Sequence, residues 1–208
     1  MPLVIYKLGG SLLTLNDLDR RLASLFKKRL PLPPDPAGSR SLDRAVLVGG
    51  GSVADLVRNW DRTQHLGGER SHDLAVAAMA LNAQFVNAMM RDSVLVAKRS
   101  SIRTACANGS IALLDPRGML DEAEKRAGQR LPRSWDVTSD SIAAFLSISW
   151  RATALVLVKS SPRPAGQSAT AAARRGLVDK YFPEVAGRVP VVAWANLRSK
   201  RLVIERWL

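Results

Sequence analysis

Short apolar runs alternate along this chain with segments whose apolar residues recur every three or four positions. Residues 3–6, 45–48, 94–97, 111–114, 155–158, 189–193 and 202–204 are such runs, and their length and β-branched content predict buried strands. Leu18, Leu22, Leu25 and Phe26 recur at helical spacing, as do Val53, Leu56, Val57 and Trp60. The first set predicts a helix after the first strand, and the second a helix face after the next. Residues 72–90 are rich in Ala, Leu and Met and form the clearest helical stretch. Shorter helices are predicted over 120–127 and over 139–150, the latter with Ile142, Ala143, Leu146 and Trp150 on its apolar face. Residues 31–41 carry Pro31, Pro33, Pro34 and Pro36 and cannot continue a helix. They form a loop or an insertion, and 160–168, with its Ser, Pro and Gly, forms another. Strands that alternate with helices and are apolar on both faces predict one α/β domain over 1–208, its sheet covered on both sides.

The chemistry sits at the ends of these strands. Lys7-Leu8-Gly9-Gly10-Ser11 closes the first run, Val48-Gly49-Gly50-Gly51-Ser52 closes the second, and Thr138-Ser139-Asp140 precedes the 139–150 helix. A strand-to-helix junction leaves backbone N–H groups free at the positive end of a helix dipole, and glycine lets an anion approach them. Lys7 beside such a turn is placed to neutralise charge on a transferred phosphoryl group. The alternative, a lysine leaving the sheet for water, is weakened by the glycines that follow. Three glycines in a row exceed what a tight turn needs and point to close approach by a ligand. Thr138, Ser139 and Asp140 read equally well as a helix cap with its first-turn acid or as substrate-holding hydroxyls with a carboxylate that orients a cation. Trp135 either packs a loop or walls a pocket for a ring-shaped substrate. The spacing is neither that of a P-loop nor that of the dinucleotide fingerprint.

Composition narrows the picture further. Across 208 residues, 47% are hydrophobic, enough for a core without disulfides. The one cysteine, Cys106, has no partner and no recognisable base, so an inert thiol in a reducing, cytoplasmic setting is expected. No run reaches the ~18 apolar residues of a membrane span, and Lys7 follows the first apolar stretch rather than preceding it, unlike a signal peptide. Thirty-one Lys and Arg against 18 Asp and Glu give +13. The basic residues are dispersed and aromatics make up only 5%, which favours anionic small molecules over a nucleic-acid surface built on stacking rings. His72 reads as part of a helix start, since no second His or Cys stands at metal-ligand spacing from it.

Taken in order, the three phrases resemble the amino acid kinase superfamily, which includes aspartate, acetylglutamate, uridylate and isopentenyl phosphate kinases. The likeness spans nearly the whole chain. Within the superfamily, His72-Asp73-Leu74-Ala75, Met79, Ser134-Trp135-Asp136-Val137-Thr138-Ser139-Asp140-Ser141 and Val178-Asp179-Lys180-Tyr181-Phe182-Pro183 are similar to the small kinases of methanofuran biosynthesis. Those enzymes phosphorylate aminomethylfuran-methyl phosphate. The resemblance implies a three-layer α/β/α sandwich around a mainly parallel sheet, and transfer of the γ-phosphoryl group of ATP, with Mg2+, to a small phosphorylated acceptor. It implies that Lys7 stabilises the transferred group and that Asp140 organises the surrounding cations. Gly9, Gly10 and Ser11 would contact nucleotide phosphates, and Gly49, Gly50 and Gly51, with Trp135, Thr138 and Ser139, the acceptor. No protein metal ligands are implied, and a homo-oligomer is. One departure stands out: where the superfamily has a Thr-Asp pair after the 155–158 strand, this chain reads Lys159-Ser160-Ser161-Pro162-Arg163. Lys159 is then a candidate second phosphate-binding charge, with Lys180 behind it. The same departure supports a different expectation, a diverged and catalytically weak protein of this fold that binds an anionic ligand or a partner subunit.

Overall fold

A computed structural model describes residues 2–32 and 42–208; most of the Pro-rich 31–41 segment lies outside the described residues. Seven strands form one sheet in the order β3-β4-β2-β1-β5-β6-β7. They are β1 Leu3–Leu8, β2 Asp43–Val48, β3 Ser93–Val96, β4 Ile111–Leu114, β5 Ala154–Lys159, β6 Val192–Asn196 and β7 Glu205–Arg206. All neighbouring pairs run parallel except β6 and β7. The helices are α1 Leu18–Phe26, α2 Gly51–Gln64, α3 Gly68–Met89, α4 Ser100–Ala107, α5 Pro116–Ala127, α6 Ser139–Ser149, α7 Ala169–Arg174 and α8 Phe182–Ala186.

Side chains on successive strand residues point to opposite faces, and the strands bury both rows. Val4, Tyr6 and Leu8 of β1 join α1 on one face, through Leu18, Leu22 and Leu25. Ile5 of β1, with Leu155 and Leu157 of β5, meets α6 on the other, through Ile142, Ala143 and Leu146. The strand runs therefore read as continuously apolar because each face has its own helical layer. The order also contains a switch point. From β1 the chain moves to β2, then to β3 at the sheet edge, comes back to insert β4 between β3 and β2, and finally adds β5 on the other side of β1. At such a reversal the helices leave in opposite directions and open a crevice at the carboxyl ends of the strands.

Several expectations need correction. The helix face expected after the triple glycine is present in α2, but of its residues only Val57 is fully buried and Leu56 and Trp60 are each 46% exposed, because α2 packs on α3. A short 3₁₀ turn, Gly10–Leu12, intervenes between the first glycine phrase and α1. The long helix starts at Gly68, four residues ahead of the expected position. α5 starts at Pro116, where the Asp115 side chain accepts from the Arg117 N–H as its cap. The expected strand over 189–193 lies instead at Val192–Asn196, and residues 202–204 are irregular, with β7 following them. α4, α7 and α8 are too short to show a helical period in the sequence. Among the described residues no helix is long and apolar enough to cross a membrane.

Candidate active site

The period of two explains how two distant lysines meet. Ile5 and Lys7 lie in one row of β1, and Leu155, Leu157 and Lys159 in the matching row of β5, with Lys7 opposite Leu157. Both rows face α6. The apolar residues feed the core, while each lysine, at its strand's carboxyl end, meets the first turn of α6. There Asp140, 4% exposed, receives both. Lys7 Nζ lies 3.0 Å from Oδ1, and Lys159 Nζ lies 2.6 Å from Oδ2. Lys159 also donates to the Leu177 carbonyl at 2.8 Å. Burial pushes the Asp140 carboxyl up, but the two ammoniums overcome it and hold it at about 2. Burial pushes Lys159 down to about 8, with Asp140 resisting and Lys7 adding to the fall. Two ammoniums thus share one carboxylate, and the Asp179 carboxylate lies close enough to act on Lys159 as well.

A cavity of ≈ 210 Å³ opens beside Lys7, the member of this cluster that reaches its wall. Lys7, Gly10, Gly50 and Gly51 contribute to its wall, as do Thr138 and Ser139. Asn82, buried in α3, donates to the carbonyls of both Gly49 and Gly50 at 2.8 Å. In a trans peptide the following N–H points opposite the carbonyl, so the amides of Gly50 and Gly51 are turned away from α3. The glycines have a second reason to be there. A Cβ on Gly10 would stand 2.2 Å from the Gly51 nitrogen, and one on Gly49 would stand 2.9 Å from Ser139 Oγ. Gly51 itself has φ of +50°. The two glycine turns are thus packed backbone to backbone, and only glycine fits.

Other expected residues are placed less simply. Gly9 and Gly49 do not line the cavity; their amides are bound to the carbonyls of Val158 and Leu8 at 2.8 Å. Ser11 is exposed on the β5 side, its Oγ 3.3 Å from Ser160 Oγ, and Arg198 reaches its carbonyl at 3.3 Å. Thr138 faces the cavity, but its hydroxyl proton is given to Asp179 at 2.9 Å. Trp135 both packs and walls: it lines the cavity, donates Nε1 to Asp61 at 2.7 Å, and carries the Arg58 guanidinium 4.5 Å above its ring. Lys180 forms an exposed ion pair with Asp136 at 3.0 Å, away from Asp140. Burial pushes the Cys106 thiol up, consistent with an inert side chain.

Three features were not read from the sequence as parts of a site. Asn82 braces the triple glycine, as above. Asp179 accepts from the backbone and hydroxyl of both Thr138 and Ser141, and from the Phe182 amide, so it fixes the turn that presents Asp140. His72 lines the cavity and is held by Arg133, which in turn pairs with Glu124. Burial, with the Arg133 charge second, holds His72 down at about 4, so its ring is neutral.

No protein-family model matches the chain, and neither does any curated protein sequence. Solved structures do. Uridylate kinase from Archaeoglobus fulgidus is 15% identical with a TM-score of 0.59, over 99% of this chain and 91% of that one. UMP kinase from Ureaplasma parvum is 12% identical with a TM-score of 0.60, over 97% and 92%. UMP kinase from Bacillus anthracis is 13% identical with a TM-score of 0.57, over 96% and 88%. These neighbours belong to the amino acid kinase superfamily, and the expected α/β architecture, the amino acid kinase fold, is the one this chain adopts.

Proposed function

We propose that this protein is a small-molecule phosphotransferase that moves the γ-phosphoryl group of ATP to a phosphorylated acceptor. The acceptor favoured by the motif resemblance is aminomethylfuran-methyl phosphate; the fold neighbours act, by their names, on UMP. The observation that carries the reading is the Lys7–Asp140–Lys159 cluster beside the packed glycine turns. It places fixed positive charge and backbone donors where a phosphoryl group would pass, and phosphoryl transfer is catalysed largely by such positioning.

In this reading the cavity holds the acceptor. Lys7 and the amides of Gly50 and Gly51 take its phosphoryl group, and Ser139 and Trp135 its sides. Ser11, Ser160 and Lys159, on the β5 side, would hold nucleotide phosphates. Among the described residues no cluster of three His, Cys, Asp or Glu side chains is grouped for a metal. The reading takes magnesium to arrive with the nucleotide and to be held largely by its phosphates, as is common for this ion. When bound, ATP and magnesium supply the transferable group and part of its charge neutralisation. Lys7 neutralises the rest, and Asp140 keeps both lysines aimed. No covalent enzyme intermediate is needed.

Homo-oligomerisation belongs to the same proposal. Leu74, Ala77, Leu81, Gln84, Phe85 and Ala88 are the exposed residues of α3 between Leu74 and Met89, and none carries a charge. A second copy is the occupant that this uncharged stripe suits.

A second reading has an observation of its own. Lys159 spends its ammonium on Asp140 and the Leu177 carbonyl, which fits a diverged protein that binds an anionic ligand without efficient turnover. ADP release with MgATP and each acceptor separates the two. Turnover that is lost in Lys7→Ala supports the kinase; saturable binding without ADP supports the second reading. Neither binding nor turnover at millimolar ligand rejects both.

A further inference from the structure

The imidazole of His72 is fixed from behind. Its Nε2 lies 3.0 Å from Nη1 of Arg133. Nη2 of Arg133 donates to Oε2 of Glu124 at 2.8 Å, and Oε1 of Glu124 accepts from the Leu131 amide at 2.9 Å. All three side chains are more than nine-tenths buried. A guanidinium can only donate, so Nε2 presents its lone pair and the ring proton resides on Nδ1. Among the described residues no protein group is hydrogen-bonded to Nδ1, and it is not among the fully enclosed polar atoms left without a partner. The ring forms part of the cavity wall built by α3, beside Ala75, Val76 and Met79.

We infer that His72 is a specificity-determining contact, its Nδ1–H donating to a proton-free acceptor atom in the body of the substrate. Arg133 and Glu124 are positioning residues that keep the proton on Nδ1. The inference rests on the reading of this cavity as the acceptor site, and it narrows that reading. The phosphoryl end of the substrate meets charge at Lys7. The other end meets apolar side chains, the neutral His72 donor and the Arg58 guanidinium, which is paired with Asp55 at 2.7 Å and lies over the Trp135 ring; an uncharged ring bearing a carbonyl or ether oxygen suits that surrounding. Specificity of this kind is strong because a ligand lacking the acceptor atom leaves a buried donor unpaired.

The chain has only two histidines, so nitrogen-15 NMR of histidine-labelled protein resolves both rings, and His65→Gln assigns them. The expected spectrum of the free protein has His72 protonated at Nδ1. Saturating UMP or furfuryl phosphate should shift that Nδ1–H resonance, while inorganic phosphate, which reaches only the Lys7 end, should not. His72→Phe should weaken ring phosphates about tenfold and leave inorganic phosphate unchanged, and His72→Asn, which keeps a donor, should restore part of the loss. Arg133→Met combined with Glu124→Leu, which removes both buried charges together, should return His72 to a mixture of tautomers. A proton found on Nε2 in the wild-type protein overturns the inference. So does an unmoved Nδ1–H when a ring phosphate is bound. If no phosphate monoester binds at all, the acceptor reading itself fails, and this inference falls with it.

Discussion

The Lys159 ammonium lies 2.6 Å from Oδ2 of Asp140, inside a cluster that also contains the Lys7 ammonium. A lysine so enclosed loses its proton more readily than one in water, and here the fall is to about 8. If the charged form is needed to hold phosphate and orient Asp140, kcat/KM should decline as pH rises past about 8. Lys159→Arg, which stays protonated, should remove that alkaline limb. Stability should move the other way. Between about 8 and the ordinary lysine value the unfolded chain binds more protons than the folded one, so this group makes folding more favourable as pH rises. A pH–rate profile and a denaturant series on the same samples separate the two trends; an unchanged alkaline limb in Lys159→Arg removes Lys159 from the reaction.

Asp140 holds two cations, so its loss and the loss of one cation should differ. Asp140→Asn leaves two ammoniums facing each other in a buried site and should cost about 3–5 kcal/mol. Lys7→Met keeps the Asp140–Lys159 pair, so it should cost clearly less. Its effect should appear in turnover, with kcat lowered by roughly two to three orders of magnitude. Urea titration beside steady-state kinetics reads both. Equal stability losses would mean that Lys159 alone does not satisfy Asp140.

The glycines make a sharper steric test. An alanine at position 10 would place its Cβ 2.2 Å from the Gly51 nitrogen and 2.4 Å from the Gly51 Cα, both backbone atoms. Gly10→Ala should therefore yield unfolded or insoluble protein. Gly118 lies in α5 with nothing within 4 Å of a Cβ placed there. Gly118→Ala should raise stability by about 0.5–1 kcal/mol. Thermal melts decide; a well-folded Gly10→Ala would show that the two turns are free to separate.

The uncharged stripe on α3 predicts association. Leu81 and Phe85 are 55% and 49% exposed, and a second copy would cover them. Leu81→Lys with Phe85→Glu should lower the mass seen by light scattering to that of one chain without altering the far-ultraviolet circular dichroism. A wild-type protein that is already monomeric at micromolar concentration removes the proposal.

What was legible in the sequence was what lies close together along it. Lys7 and the first glycines share one phrase, the triple glycine another, and both sit at strand ends that hydrophobic runs mark plainly. The parity of Lys7 and Lys159 was also present in the chain, but only the pairing of β1 with β5 turns parity into proximity. Asn82, Arg133 and Asp179 stayed hidden because their partners lie far off in sequence: Asn82 reaches back 33 residues to Gly49, and Asp179 reaches 41 to Thr138. Asn82 and Arg133 look, in their own neighbourhoods, like ordinary polar residues, and Asp179, though part of the phrase over 178–183, gives no sign there of holding the start of α6. The face of α2 was legible as a helix, but the depth of its burial was not. Leu56 and Trp60 stand on an outer helix whose own support is α3.

Asp179 offers the clearest separation of structure from chemistry. Its carboxylate accepts from the amides of Thr138 and Ser141 at 3.0 and 2.9 Å, and from both hydroxyls. These amides belong to the start of α6, where donors have no partner within the helix. Asp179 therefore caps α6 from a distance and fixes the turn that carries Asp140. Asp179→Ala should strand those donors and cost about 3 kcal/mol or more, since each buried donor left unpaired costs about 1–3. Local exchange distinguishes this role from a general loss of stability. The Ser141 amide should exchange with solvent much faster in the variant, while amides in the middle of β1 and β5 slow or speed only with global unfolding. Turnover should fall as well, through the misplaced Asp140, with KM changed less than kcat. If the Ser141 amide stays protected while turnover is lost, Asp179 acts on the substrate itself and not through α6.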